Sequence, residues 1–193
     1  MRKFVLIGSL LGCFFKVAAQ KNTPHSYIEQ FKDDAIKIMH ETGVPASIVL
    51  GVAMHESACG NSKLAQNLNN QFGVKGDTRI FYYLRKKKIS TQYKRYFSVY
   101  DSFEDFARIM IERSEFNSLV ETLSHFDYTS WAHAIQKNGY ASDRKWAKGV
   151  LNIINKYHLY AFDENPANEL LPEKNTGDPN AIASNKSSTG AHQ

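Results

Sequence analysis

A mainly α-helical domain with one β-hairpin is what this 193-residue sequence predicts, on three observations. Apolar residues recur at helical spacing through most of residues 25 to 160. The periodic stretches begin and end on residue types that cap helices. One interval, residues 78 to 100, breaks that pattern with β-branched and aromatic residues on both sides of a basic turn.

The elements follow in order. HSYIEQFKDDAIKIMHETG places Ile28, Phe31, Ala35, Ile38 and Met39 on one helical stripe and stops at Gly43, a natural C-terminal cap. VPASIVLGVAMHE starts with Pro45 near a first turn and is apolar nearly all round, which predicts a buried central helix. Glu56 falls at its C-terminal end, where the helix dipole disfavours a negative charge. Ser62 to Ala65 supply a further turn. TRIFYYLRKKKISTQYKRYFSVY reads as an irregular hairpin around Arg85-Lys86-Lys87-Lys88. Asp101-Ser102-Phe103-Glu104 then offers a capping box before the amphipathic FARIMIERSEF. DYTSWAHAIQKNG is a capped helix ending at Gly139. SDRKWAKGVLNIINKYHL is the last helix, with Asp143 as its N-cap and Trp146, Val150, Ile153, Ile154 and Tyr157 inward.

The ends differ from this core. Residues 1–19 combine the positive MRK, a short apolar run and a small-residue exit with Val17 and Ala19, the pattern of a secretory signal peptide. The run is too short for a stable membrane span. Leu10-Leu11-Gly12-Cys13 also resembles a lipoprotein box, in which Cys13 would be acylated, but Phe14-Phe15 suit a continuing signal core better. Cleavage would remove Arg2, Lys3 and Lys16, lowering the formal charge from +5 to +2 and leaving Cys59 as a lone thiol, so no intrachain disulfide is expected. Residues 163–193 are polar, hold three of the five prolines and set two lysines against five acids; they predict a disordered tail. Residues 24–162 remain as the folded unit, exported to a periplasmic or secreted location.

Within that unit, the run TGVPASIVLGVAMHESACGNSKLAQNLNNQFGVK, with FSVYDSFEDFA and NGYASDRKWAKGVLNIINKYHLY after it, resembles the bacterial glucosaminidases of glycoside hydrolase family 73, the flagellar-rod and autolysin-type peptidoglycan hydrolases. The resemblance spans roughly residues 25 to 162 in three ordered blocks. It implies a lysozyme-like α domain with a small β-lobe beside the cleft. It also implies hydrolysis of the β-1,4 bond after N-acetylglucosamine in peptidoglycan glycan strands, with no metal or cofactor. Glu56 takes the general-acid position in E-S-x-x-G-x-S, and Tyr140 the essential tyrosine of G-Y-A-[ST]-D. Asn70, Phe72 and Gly73 match the N-x-F-G block that lines the cleft, and Ser57 is a further substrate-binding candidate. The physics agrees: glycoside cleavage needs a protonated carboxyl beside the leaving oxygen, and small residues after Glu56 leave room for a sugar chain.

Two departures stand out. Cys59 replaces the family's usual aromatic; it reads as a structural thiol, with no dedicated base evident. Many members carry a second acid in the β-lobe, yet residues 78 to 100 hold seven Lys or Arg and no Asp or Glu. Asp77 and Asp101 flank the segment as possible second carboxylates, although Asp101 also fits a helix cap and Asp77 a turn. The alternatives are a non-catalytic peptidoglycan-binding relative that kept Glu56, and a muramidase or lytic transglycosylase of the same fold. Neither His55-Glu56 nor His40-Glu41 has the second histidine of a zinc site. A mature charge of +2 without a binding motif argues against nucleic acid, and the basic turn suits acidic peptide stems or envelope polymers as well as bare solvent.

Overall fold

The computed structural model describes residues 21–163; residues 1–20, which include the expected signal segment and Cys13, and residues 164–193, most of the expected tail, lie outside the described residues. The described residues form seven α-helices and one two-stranded antiparallel sheet, the mainly α architecture with one hairpin that the sequence predicts.

Helix α1 (Pro24–Thr42) starts on a reciprocal Thr23–Ser26 capping box. It ends at Gly43, whose left-handed φ of 78° lets its N–H reach the Met39 carbonyl. The predicted stripe is the buried face, joined by Tyr27. Helix α2 (Ala46–Ser57) is buried at every position from Ala46 to Met54, because helices lie on all its sides. It packs against α1 and α7 (Trp146–Lys156) alike. At the α7 face glycines make room for the partner helix's side chains: a methyl built on Gly51 would lie 2.7 Å from the Ile154 side chain, and one on Gly149 2.6 Å from the His55 ring.

Helix α3 (Lys63–Leu68), capped by Ser62, leads to the hairpin. Strands β1 (Thr78–Leu84) and β2 (Lys87–Tyr93) pair in unbroken register, and Arg85 and Lys86 turn with φ of 47° and 66°. The hairpin is therefore regular and ends at Tyr93, where the sequence suggested an irregular one reaching Tyr100. Residues 94 to 98 instead return to the helical core: Tyr96 donates its N–H to the Leu68 carbonyl, and Asn69 Nδ2 donates to the carbonyls of Tyr96 and Phe97.

Helix α4 (Val99–Glu112) begins earlier than predicted. Ser98, not Asp101, is its N-cap, and Asp101 is the reciprocating third residue: each accepts the other's backbone N–H, at 3.1 and 3.2 Å. Two overlapping capping boxes exist in SVYDSFE, and burial of Ser102 and Phe103 selects the first. Asp105 is buried and accepts from Tyr96 (2.6 Å), Lys94 (3.0 Å) and Arg108. Burial alone would raise its pKa, but these three donors outweigh that and hold it below the usual carboxylate range.

Helices α5 (Ser118–Thr122) and α6 (Tyr128–Lys137, capped by Asp127) lead to α7. Asp143, expected as the cap of the last helix, instead shapes the turn before it: its Oδ1 accepts from Lys145 N–H at 2.9 Å, and its carbonyl from Trp146 N–H at 3.1 Å. A final 3₁₀ turn (Leu159–Asp163) ends on a residue assigned from sequence to the tail. Asp163 is buried and seals the start of α2, accepting from Ser47 N–H at 2.8 Å and Ser47 Oγ–H at 2.5 Å. The folded unit therefore extends to residue 163.

Candidate active site

A cleft of about 620 Å³ opens where the C-terminal end of α2, the loop after α3 and the 138–146 turn converge. Glu56 is half-buried in it. Trp146 Nε1–H, from the start of α7, donates to Glu56 Oε1 at 2.6 Å. The other oxygen, Oε2, faces Gly73, where an added methyl would stand 3.9 Å away. Gly73 has φ of 68°, a left-handed conformation that side-chain-bearing residues rarely adopt, so the space over Oε2 stays open.

Tyr140 completes this corner. Its hydroxyl donates to the Phe72 carbonyl at 3.2 Å, and its ring packs against Trp146 and Phe106, with centroids 5.3 and 5.7 Å apart. Burial first, and then the neighbouring Glu56 charge, push the phenol well above its ordinary value, so it remains a protonated donor. Phe72 is buried, stacked on Phe106 at 4.4 Å, and presents its backbone to the cleft.

Of the residues singled out from sequence, the cleft thus gathers Glu56, Tyr140, Phe72 and Gly73. Two others serve as framework. Asn70 is buried, with Nδ2 bonded to the Val74 and Lys94 carbonyls and Oδ1 to Val74 N–H, so it shapes the loop that carries Gly73. Ser57 is buried, donating to the Ala53 carbonyl and accepting Gly60 N–H. Neither lines the cleft, and their polar atoms are spent on the chain itself. Cys59 lies outside the cleft too, with burial raising its thiol pKa, in keeping with a structural role.

The flanking acids are likewise displaced. Asp101 belongs to its capping box, whose hydrogen bonds from Ser98 hold it below the usual carboxylate range, and it borders a different groove with Glu41 and Glu104. Asp77 is exposed and outside the cleft lining. The acids beside Glu56 in the cleft wall are instead Glu115 and Asp143, with Arg113, Lys75 and His55 as basic neighbours. Glu115 sits in a loop without a motif, so nothing in the sequence marked it. Trp146 was legible as a core residue, but its bond to a carboxylate 90 residues away was not.

Among the described residues, no group of three or more His, Cys, Asp or Glu is placed to hold a metal ion, and no helix is long and apolar enough to cross a membrane.

Comparison with known proteins bears on the family and the fold. The profile of the glucosaminidase family, described as mannosyl-glycoprotein endo-beta-N-acetylglucosaminidase, matches residues 32–159. The chain is 29% identical over 153 residues to the exo-glucosaminidase LytG of Bacillus subtilis, covering 73% of this chain and 54% of that protein. It is 27% identical to the peptidoglycan hydrolase FlgJ of Vibrio parahaemolyticus, covering 72% and 49%. The chain thus spans about half the length of these relatives. In fold it is similar to the catalytic domain of the autolysin Auto from Listeria monocytogenes, with a TM-score of 0.61 at 23% identity, covering 76% of this chain and 92% of that one. It is similar also to the glycoside hydrolase domain of Salmonella typhimurium FlgJ, with a TM-score of 0.58 at 19% identity, covering 77% and 96%. The lysozyme-like helical architecture with its two-stranded lobe is therefore shared, and on a match to about two thirds of its length the chain belongs to the glucosaminidase family, glycoside hydrolase family 73.

Proposed function

We propose that this chain is an exported endo-β-N-acetylglucosaminidase that hydrolyses the β-1,4 bond after N-acetylglucosamine in peptidoglycan, with Glu56 as general acid. One observation carries the reading: Glu56 is held in an open cleft by an N–H donor on one oxygen, with its other oxygen facing free space beside Gly73. An N–H donor requires a lone pair on Oε1, so a proton on this carboxyl resides on Oε2, toward the cleft. That is the arrangement a general acid needs.

The chemistry follows. Oε2–H gives its proton to the glycosidic oxygen while the bond from that oxygen to the anomeric carbon breaks. Among the described residues the hairpin offers no carboxylate to meet the positive charge that develops. The 2-acetamido oxygen of the substrate attacks the anomeric carbon from the opposite face, forming a cyclic oxazolinium. Water then opens that ring at the anomeric carbon, giving its proton to Glu56 and restoring both acid and acetamide with the β configuration retained. Tyr140, whose O–H is donated to the Phe72 carbonyl, steadies the acetamido N–H or the developing positive charge through the lone pairs of its hydroxyl oxygen. Should a protein base activate water instead, Glu115 and Asp143 are the acids placed in the cleft to do it, and the product would be inverted.

Digestion of purified peptidoglycan followed by reducing-end analysis tests the reading. New N-acetylglucosamine ends on oligomeric products support it; muramic or anhydromuramic ends, or no product, refute it. Proton NMR of the fresh anomer separates retention from inversion.

A further inference from the structure

A second groove, of about 410 Å³, shares Lys75 with the cleft and runs out along the hairpin, walled by Gly76, Arg79, Ser90, Thr91 and Gln92. Its wall carries two cations and several hydrogen-bonding groups but no carboxylate. Lys75 stands at the junction: its Nζ donates to Thr91 Oγ1 at 3.1 Å and lies 3.8 Å above the Tyr93 ring, which also lines the cleft. Arg79 pairs across the strands with Gln92 on one face of the hairpin, and Thr91, which Lys75 engages, belongs to the other, so the groove bends round this stretch of the hairpin with one cation from each face. Among the described residues neither Lys75 nor Arg79 has an ion-pair partner.

From this continuity we infer that the Lys75–Arg79 groove is a subsite for the carboxylate-bearing peptide stems of the glycan strand whose sugars occupy the cleft. The inference rests on the peptidoglycan reading above. A strand lying in the cleft carries short peptides on alternate sugars, and their free carboxylates are the anions that arrive with the substrate. Cations flanked by hydroxyl and amide donors match carboxylates, and Arg79 offers the planar fork that binds them with two hydrogen bonds. A grip beside the scissile bond selects strands that still bear peptides over stripped glycan.

The test compares intact strands with strands freed of peptides by an amidase, using wild type and Arg79→Gln. The expected result is higher kcat/KM on peptide-bearing strands for wild type, and a fall of about three- to fivefold in that preference for the variant, as befits an exposed charge pair. The preference should shrink as salt rises. Equal slowing on both substrates, or an unchanged preference, overturns the subsite. Cosedimentation of Glu56→Gln protein, with and without Arg79→Gln, against the same two strand preparations reads the groove independently of turnover. Loss of wild-type cleavage on both substrates would count against the glycosidase reading alone, while cosedimentation still decides the subsite.

Discussion

Helix α2 carries a carboxylate at each end, and the two are opposites. Asp163 sits against the N-terminus, buried, with both oxygens bonded to Ser47. Glu56 sits in the last turn, half-buried, with one oxygen bonded to an indole and one toward a cleft. The helix dipole favours a negative charge at the first position and disfavours it at the second. A carboxylate whose lone pairs are committed to the chain is structural, whereas one with a free oxygen at a disfavoured end is poised for chemistry. Burial nevertheless raises Asp163 to about 6, because one serine cannot replace all the water it lost.

The sharpest way to break this comparison is Glu56→Gln, which keeps shape but cannot donate a proton. Its turnover should fall by ~10² to 10⁴ or more with the melting temperature unchanged. Activity within a few-fold of wild type would remove Glu56 from the mechanism.

Asp163→Asn should do the reverse, leaving kcat alone and altering stability. The folded pKa of about 6 exceeds the unfolded 3.8, so the folded state holds this proton more tightly. The contribution is fully present below about pH 4 and is lost as pH rises through about 6, for a change of about 3 kcal/mol. The wild-type-minus-variant difference in denaturant-unfolding free energy should therefore shrink by about that amount between pH 4 and 7. A pH-independent difference would show that Asp163 titrates normally.

Tyr140→Phe loses only the hydroxyl and its bond to the Phe72 carbonyl. A hydrogen bond to developing charge is typically worth about 1.5–3 kcal/mol, so kcat should drop roughly ten- to a hundredfold. Steady-state kinetics showing a changed KM at constant kcat would assign Tyr140 to ground-state binding instead.

Trp146→Phe is the mildest, about a tenfold loss in kcat, since the acid remains but swings more freely. NMR sharpens the point. The protein has two tryptophans, and the Trp131 indole donates elsewhere, to the Ser124 carbonyl at 3.1 Å. Glu56→Gln should therefore shift the Trp146 indole N–H resonance and leave that of Trp131 in place.

Much of the fold was legible because its helices obey local rules. Apolar periodicity located α1 and α7, and the all-apolar run marked α2 as central. Glu56, Tyr140 and Gly73 were singled out by the family resemblance, and one cleft gathers them. What escaped was long-range. Asp163 closes α2 from 116 residues away, and no local pattern reveals such a cap. Ser57 and Asn70 were read as facing sugar because sequence shows a polar side chain but not whether its partner is ligand or backbone. Their burial decides for backbone. The capping box at Asp101 failed differently: two boxes fit the same seven residues, and only packing chooses between them.

The glycine contacts between α2 and α7 set a tolerance for the whole cleft. At Gly149 the neighbouring helix is held off by hydrogen alone, and the ring it meets belongs to His55, the residue before Glu56. A methyl there would land 2.6 Å from that exposed ring and push it aside, and the same ring stands edge-on to Trp146 with centroids 6.3 Å apart. The His55 ring is therefore the spacer between the α7 backbone and the indole that holds Glu56. A substitution at a residue with no side chain of its own can thus reach the acid's support through one intervening ring.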